Sequence, residues 1–241
     1  MAKFSKKSYQ IITPKVFAKY TSGSQLDASD NNKIFNYSDV FSMNRTNDLD
    51  LPETGFSIGN GIDYDFIMKK NNNATLLSTK TGIGQVIRAS REDRMPNKSS
   101  LNNSSSDLAG FLKFQFFGDD NELKTKNREK VEFIDIFKQN NLSFDYNFNI
   151  SNDFNDFNKN SFNLFGTYNK FYSSISFEEK NKYIGNETSL TFDAKKLIEE
   201  NYYIRFNGKR NLQTNNSEYH NLSINFENDC LTSALTLSRE F

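Results

Sequence analysis

Six segments in the second half of the chain alternate apolar and polar residues with a period of two. In the clearest of them, residues 141–150, one side carries only apolar residues: Leu142, Phe144, Tyr146, Phe148 and Ile150. Successive side chains of a β-strand point to opposite faces, so each segment is predicted to be a strand with one apolar and one polar face. Strands of about ten residues separated by polar turns are typical of outer-membrane β-barrels, whose apolar face meets lipid and whose polar face lines a wet lumen.

Length and composition exclude several other classes. The chain has 241 residues, enough for one large β domain or two small ones. Mean hydropathy is −0.73, and no apolar run approaches the roughly 18 residues of a transmembrane helix, which excludes a helical membrane protein but not a barrel with half-polar strands. The formal net charge is +0, so the composition shows no excess of positive charge of the kind that binds nucleic acid.

The predicted fold class is all-β, an antiparallel transmembrane β-barrel. About eleven strands are predicted, at residues 10–21, 54–68, 79–91, 106–117, 141–150, 161–169, 171–178, 187–195, 201–211, 216–227 and 230–241. Long connections near residues 22–52 and 92–105 alternate with short polar turns. Long loops on one side and short turns on the other are how such barrels face the exterior and the periplasm.

The strand at residues 54–68 has one nearly bare face, because Gly55, Gly59 and Gly61 lie on it. Glycines in a strand interior weaken an ordinary sheet. They are expected either where a barrel wall bends or where another part of the molecule approaches the backbone closely. The sequence leaves both explanations open.

Three blocks of sequence contain recognisable motifs. The first block consists of ITPKVFAKYTSG at residues 12–23, YSDVFSMNR at 37–45, ETG at 53–55 and GIDY at 61–64. The second consists of GQVIR at residues 84–88 and SDLAG at 106–110, and the third is NDCLTSALTLSREF at 228–241. In their order and spacing, these blocks resemble the carboxy-terminal barrel of the lipopolysaccharide-assembly family LptD, also called the organic solvent tolerance family. The resemblance spans nearly the whole chain.

The resemblance implies a function in the outer membrane of a Gram-negative cell envelope, namely lipopolysaccharide transport and assembly. It implies a lateral opening in the barrel, no enzymatic activity and no cofactor. The implied partners are lipopolysaccharide, outer-membrane lipid, an LptE-like lipoprotein plug and periplasmic bridge proteins. Barrels of the resembled family have more than eleven strands, so this chain is expected to form only part of a barrel wall. The family's periplasmic domain is absent and no signal-peptide core follows Met1, so residues 1–241 are expected to be a carboxy-terminal fragment, or the gene start is placed late.

Cys230 is the only cysteine. In the resembled family, cysteines at this position form disulfides with the periplasmic domain, so the resemblance implies a partner outside this chain; a plain unpaired thiol is the alternative.

Two other groups of polar residues are candidates for contact with ligands. Arg88, Arg91 and Arg94 could bind the phosphates of lipopolysaccharide in the lumen or loops. Ordinary loop charge beside a strand end is the preferred explanation of these residues and of Asp107. His220, the sole histidine, lacks the neighbours of a metal site or a catalytic dyad and is expected to be an ordinary strand residue.

Two alternative functions remain open at this stage. One is a porin-like passive channel for hydrophilic solutes. The other is a soluble antiparallel sandwich acting as a binding module, in which apolar faces pack against each other instead of against lipid.

Overall fold

The protein is a single antiparallel β-sheet in a computed structural model, which describes residues 2–5, 7–46, 48–70, 74–118, 140–228 and 230–241. Within these ranges the sheet has twelve strands: Ala2–Phe4 (β1), Ser8–Thr21 (β2), Gly55–Lys69 (β3), Thr75–Arg88 (β4), Leu108–Phe117 (β5), Asn141–Ile150 (β6), Phe157–Tyr168 (β7), Phe171–Lys180 (β8), Glu187–Glu199 (β9), Tyr202–Asn211 (β10), Asn216–Glu227 (β11) and Thr232–Glu240 (β12). Short 3₁₀ helices lie at Tyr37–Phe41, Asn97–Ser99 and Lys182–Ile184.

Each strand pairs with its neighbours in sequence, from β1 at one edge to β12 at the other. The edges do not meet, so the sheet is open and consistent with part of a β-barrel. The all-β prediction is confirmed, and every predicted strand is present. The predictions missed β1, which pairs through only three residues, and placed the starts of β4 and β7 four residues late. In both strands the missed residues continue the ladder across a bulge, with Thr75 opposite Lys69 and Phe157 opposite Ile150.

The two faces of the sheet differ in chemistry along its whole width. Paired residues share a face, so the register Phe114, Phe144, Leu164 and Ile175 across β5 to β8 forms an apolar row. The next residues along these strands, Lys113, Asp145 and Asn163, form a polar row on the opposite face. We call the first face the outer face and the second, which residues 22–54 cover in part, the inner face.

The connections divide between the two ends of the strands. One end, the long-connection end, carries residues 22–54, 89–107, 151–156, 181–186 and 212–215. The other, the short-turn end, carries residues 5–7, 70–74, 169–170, 200–201 and 228–231. Residues 22–54 and 89–107 share one end, as predicted, but the asymmetry does not extend over the whole sheet. Residues 212–215 are as few as residues 228–231 at the other end, and residues 118–140, of which 119–139 lie outside the described residues, join β5 to β6 at the short-turn end.

The hydrophobic core of the described chain is small and lies on the inner face. It consists of Phe35, Val40, Val86, Met95, Leu101 and Ala109. Large apolar side chains of the outer face, by contrast, remain exposed, including Val16, Tyr168 and Leu235. A soluble monomer rarely exposes such a continuous apolar face, so this face requires a partner or an apolar solvent.

Candidate functional site

Residues 22–54, the inner segment, fold back from the long-connection end onto the inner face. The 3₁₀ helix Tyr37–Phe41 lies directly over the glycines of β3 and β4. A Cβ atom on Gly59 would stand 2.1 Å from the Val40 carbonyl oxygen, and one on Gly82 would stand 2.9 Å from Cζ of Tyr37. Of the two explanations open at the level of sequence, close approach of another part of the molecule is therefore correct for Gly59 and Gly61, whereas Gly55 has room for a Cβ atom and adopts a φ of +84°.

Polar contacts fix the inner segment to strands on both sides of the glycines of β3 and β4. The Tyr37 hydroxyl donates to Asp63 on β3, which also forms an ion pair with Lys15 on β2. Further across the sheet, Nδ2 of Asn149 on β6 donates to the Phe35 carbonyl at 2.6 Å. Nζ of Lys159 on β7 donates to Oδ1 of Asn36 at 3.4 Å. The inner segment thus contacts strands from β2 to β7.

A buried group of charged side chains lies where the inner segment rejoins the sheet. Nη1 of Arg45 donates to both carboxylate oxygens of Glu53, at 3.0 and 2.9 Å, and to Ser57 Oγ at 2.9 Å. Glu53 also pairs with Arg88 and, at 3.3 Å, with Lys19. We call Glu53, Arg45, Arg88, Lys19 and Ser57 the Glu53 cluster.

The geometry of the Glu53 cluster suits a structural lock. Nε and Nη2 of Arg45 donate to the carbonyls of Asp39 and Val40, at 2.9 and 3.0 Å, so this arginine caps the 3₁₀ helix while it pairs with Glu53. Arg88, at the end of β4, also donates to the Thr54 carbonyl at 3.0 Å. One carboxylate therefore joins three cations from the inner segment, β2 and β4, and this site does not pair a nucleophile with a base.

Four of the five residues of this cluster lie in blocks of the resemblance, and two of them, Lys19 and Arg88, are 69 residues apart in the chain. Lys19, Arg45 and Glu53 lie in the first block of the resemblance, and Arg88 ends the first part of the second block. The motifs marked these positions, but residue pattern alone did not show that they meet. Only the pairing of β2, β3 and β4 brings them together.

The three arginines that the sequence singled out do not form one group. Arg88 belongs to the Glu53 cluster and is buried. Arg91 is exposed and pairs with Asp93 at 2.6 Å, whereas Nη1 of Arg94 donates to the Gln25 carbonyl in the inner segment at 3.0 Å. A contact between any of them and a glycolipid stays a prediction.

Cys230 is exposed in the turn between β11 and β12, at the short-turn end, and its backbone N–H donates to the Asn228 side chain at 3.0 Å. His220 lies on the outer face of β11, with its ring centroid 5.2 Å from that of Phe241 and 6.1 Å from that of Phe192. Cys230 thus lies at one end of the sheet, and His220 lies on its outer face.

The described residues contain neither a metal-binding cluster nor a membrane-spanning helix. No group of three or more histidine, cysteine, aspartate or glutamate side chains in the part of the chain that the structure describes could hold a metal ion. Among those same residues, no helix is long and apolar enough to cross a membrane.

Comparisons with known proteins add no relative. Neither a scan against protein-family models nor a search of curated proteins finds a match to this chain.

Proposed function

We propose that this chain is part of the wall of an outer-membrane β-barrel that transports and assembles lipopolysaccharide, as in the LptD family that its motifs resemble. The observation that carries the proposal is the convergence of those motifs. Two of the three blocks supply Lys19, Arg45, Glu53 and Arg88, which span residues 19–88 of the sequence, to one buried cluster on the inner face. Matched motifs that meet at one site support common descent more strongly than matches scattered over a surface.

The chemistry of the two faces supports an outer-membrane location. The outer face is apolar and uncovered along the sheet, as a lipid-facing wall requires, and the inner face carries hydroxyl, amide and charged groups. Cys230 lies at the short-turn end, which in barrels of this class faces the periplasm. A periplasmic-domain cysteine would approach from that side.

In the proposed mechanism, the protein performs no covalent chemistry. Lipopolysaccharide arrives over a periplasmic bridge, and its sugars pass along the polar inner face, which replaces their hydrogen bonds to water. Its acyl chains leave sideways between parted strands, which spares them a passage through water. A lipoprotein plug occupies the complete barrel, of which this sheet is one portion.

The alternative, a porin-like passive channel, is favoured by one observation. The inner segment narrows the space next to the inner face and carries paired charges, Lys33 with Asp39 at 2.9 Å and Lys15 with Asp63. Channels use such charged constrictions to select solutes. The soluble sandwich is not supported, because the described strands form one sheet whose outer face packs against no second sheet.

Depletion of the full-length protein separates the two functions. If the chain belongs to an assembly barrel, newly made lipopolysaccharide should fail to reach the cell surface and should accumulate in the inner membrane. Loss of small-solute uptake with normal lipopolysaccharide at the surface would instead identify a channel. A lipoprotein that copurifies with the protein in detergent would support the assembly function independently.

A further inference from the structure

Residues 89–107, the rim strap, cross the long-connection end of the sheet between β4 and the connection after β8. The strap forms backbone hydrogen bonds with the inner segment. The Ala28 N–H donates to the Arg94 carbonyl at 2.8 Å, and the Asn97 N–H donates to the Ser29 carbonyl at 3.2 Å. Leu101 and Met95 of the strap belong to the same buried core as Phe35 of the inner segment. Any movement of the rim strap would therefore disturb the inner segment.

The far end of the strap is attached through Asp107, which is 2% exposed. Its carboxylate accepts hydrogen bonds from Nδ2 of Asn158 on β7, at 2.9 Å, and from the Tyr183 hydroxyl in the 3₁₀ helix after β8. Its own N–H donates to Ser100 Oγ at 2.9 Å, which closes the strap on itself. One carboxyl group thus joins the strap to two separate elements of the rim.

The surroundings of this carboxyl group do not neutralise it. Tyr183 and Lys182 face it from the connection after β8, and Asp153 faces it from the connection after β6. The Lys182 ammonium pairs with Asp156, at 2.7 Å, and not with Asp107. In the described part of the chain, no lysine or arginine forms an ion pair with Asp107, so an ionised carboxylate here is a buried charge held only by two neutral donors.

We propose that Asp107 makes the attachment of the rim strap dependent on pH, so that the strap and the inner segment beneath it are held more tightly when this carboxyl group is protonated. The proposal concerns the motion of the rim and does not depend on what the sheet transports.

The direction of the effect follows from linkage. Burial raises the pKa of the Asp107 carboxyl, while the hydrogen bonds from Tyr183 and Asn158 and the charge of Lys182 oppose the rise. Attachment is therefore strongest below the ordinary carboxyl pKa of about 3.9, weakens as pH rises through the attached-state pKa, and then becomes constant. Across this transition, the equilibrium constant for attachment falls about tenfold for each unit by which the pKa in the attached state exceeds the pKa in the detached state.

Hydrogen exchange of the strap amides over the pH range from about 4 to about 8, corrected for the intrinsic pH dependence of exchange, tests this proposal on the whole chain. In the wild type, protection of residues 97–107 should fall as pH rises. In Asp107→Asn, which keeps the shape but cannot ionise, protection should not change with pH. Asp93→Asn, which removes an exposed carboxylate of the same strap that pairs with Arg91 and not with the Asp107 site, is the matched control and should behave like the wild type.

A second variant keeps the proposal testable if Asp107→Asn does not fold. Tyr183→Phe removes one donor to the carboxylate, so the loss of protection should become larger and its midpoint should move to higher pH. Wild-type protection that does not change with pH would overturn the proposal. So would an Asp107→Asn variant that keeps the transition, or a Tyr183→Phe variant with an unchanged midpoint.

Discussion

Arg45 and Glu53 form an ion pair in which both side chains are almost completely buried, with exposures of 0% and 1%. They lie eight residues apart in the inner segment, and Nη1 of Arg45 contacts both carboxylate oxygens. Arg88 and Lys19 also form ion pairs with this carboxylate, so Glu53 joins all three cations of the Glu53 cluster. This anion therefore fixes the inner segment to β2 and β4 at the point where the segment rejoins the sheet.

Glu53→Gln should destabilise the fold strongly. The substitution leaves three cations without their carboxylate, and removal of one partner of a buried ion pair costs about 3–5 kcal/mol. The midpoint of denaturant-induced unfolding in detergent measures the effect. Asp93→Asn breaks the exposed pair with Arg91 and serves as the control, which should hardly move the midpoint. Equal midpoints for the two variants would mean that the Glu53 cluster does not hold the segment.

Gly59→Ala should displace the inner segment without unfolding the sheet. The added Cβ would overlap the Val40 carbonyl, at 2.1 Å, and backbone atoms on both sides resist the shift. Trypsin should then cut after Arg45, which the wild type buries, much faster than before. Gly166→Ala is the matched control, because the nearest atoms to its Cβ lie 3.3 Å away. A cleavage rate that Gly59→Ala leaves unchanged would contradict the close packing.

The alternating segments allowed the strands and their faces to be predicted because a strand's two faces are encoded locally, residue by residue. Phe144 and Asp145 are assigned to opposite faces by their neighbours alone, and the register with β5 and β7 agrees. The start of β7 was placed late because residues 157–160 are mostly polar, and their strand conformation depends on pairing with β6 and β8.

The site itself could be predicted only in part. The glycines of β3 indicated a possible close approach, but they did not identify the approaching segment. The sequence grouped Arg88 with Arg91 and Arg94, since they are neighbours in the chain. The sheet separates them, because Arg88 still belongs to β4 and points to the inner face toward Glu53, 35 residues away.

Phe144→Arg should cost about 2–4 kcal/mol if this residue lies near the bilayer midplane, since a lipid-facing cation must be desolvated there. Phe144 stacks between outer-face rings, with centroids 6.5 Å from Tyr146 and 6.3 Å from Phe162. Unfolding from lipid vesicles measures the cost. Asp145→Arg changes the adjacent residue on the inner face and should be tolerated better. Equal costs at the two positions would refute the assignment of the faces.

If the chain is part of an assembly barrel, as proposed, Cys230 should form a disulfide with a periplasmic-domain cysteine of the whole protein. The thiol is exposed at the short-turn end, so a partner from that side can reach it. Closure of a loop of about 100 residues stabilises by about 4–5 kcal/mol in the entropic description. Non-reducing gels should show a mobility shift on reduction, and Cys230→Ser should abolish it and impair assembly. A full-length protein without another cysteine, exported normally after the change, would remove this disulfide from the account.

The most direct test of the proposed function is photocrosslinking in living cells from adjacent positions on opposite faces. A photoreactive amino acid at Asn147, on the inner face, should label lipopolysaccharide, and the adduct should disappear when supply over the periplasmic bridge is blocked. The same group at Tyr146, on the outer face, should label membrane lipid whether or not supply continues. The absence of a lipopolysaccharide adduct at Asn147, or an adduct there that persists after supply is blocked, would contradict a transport path along the inner face.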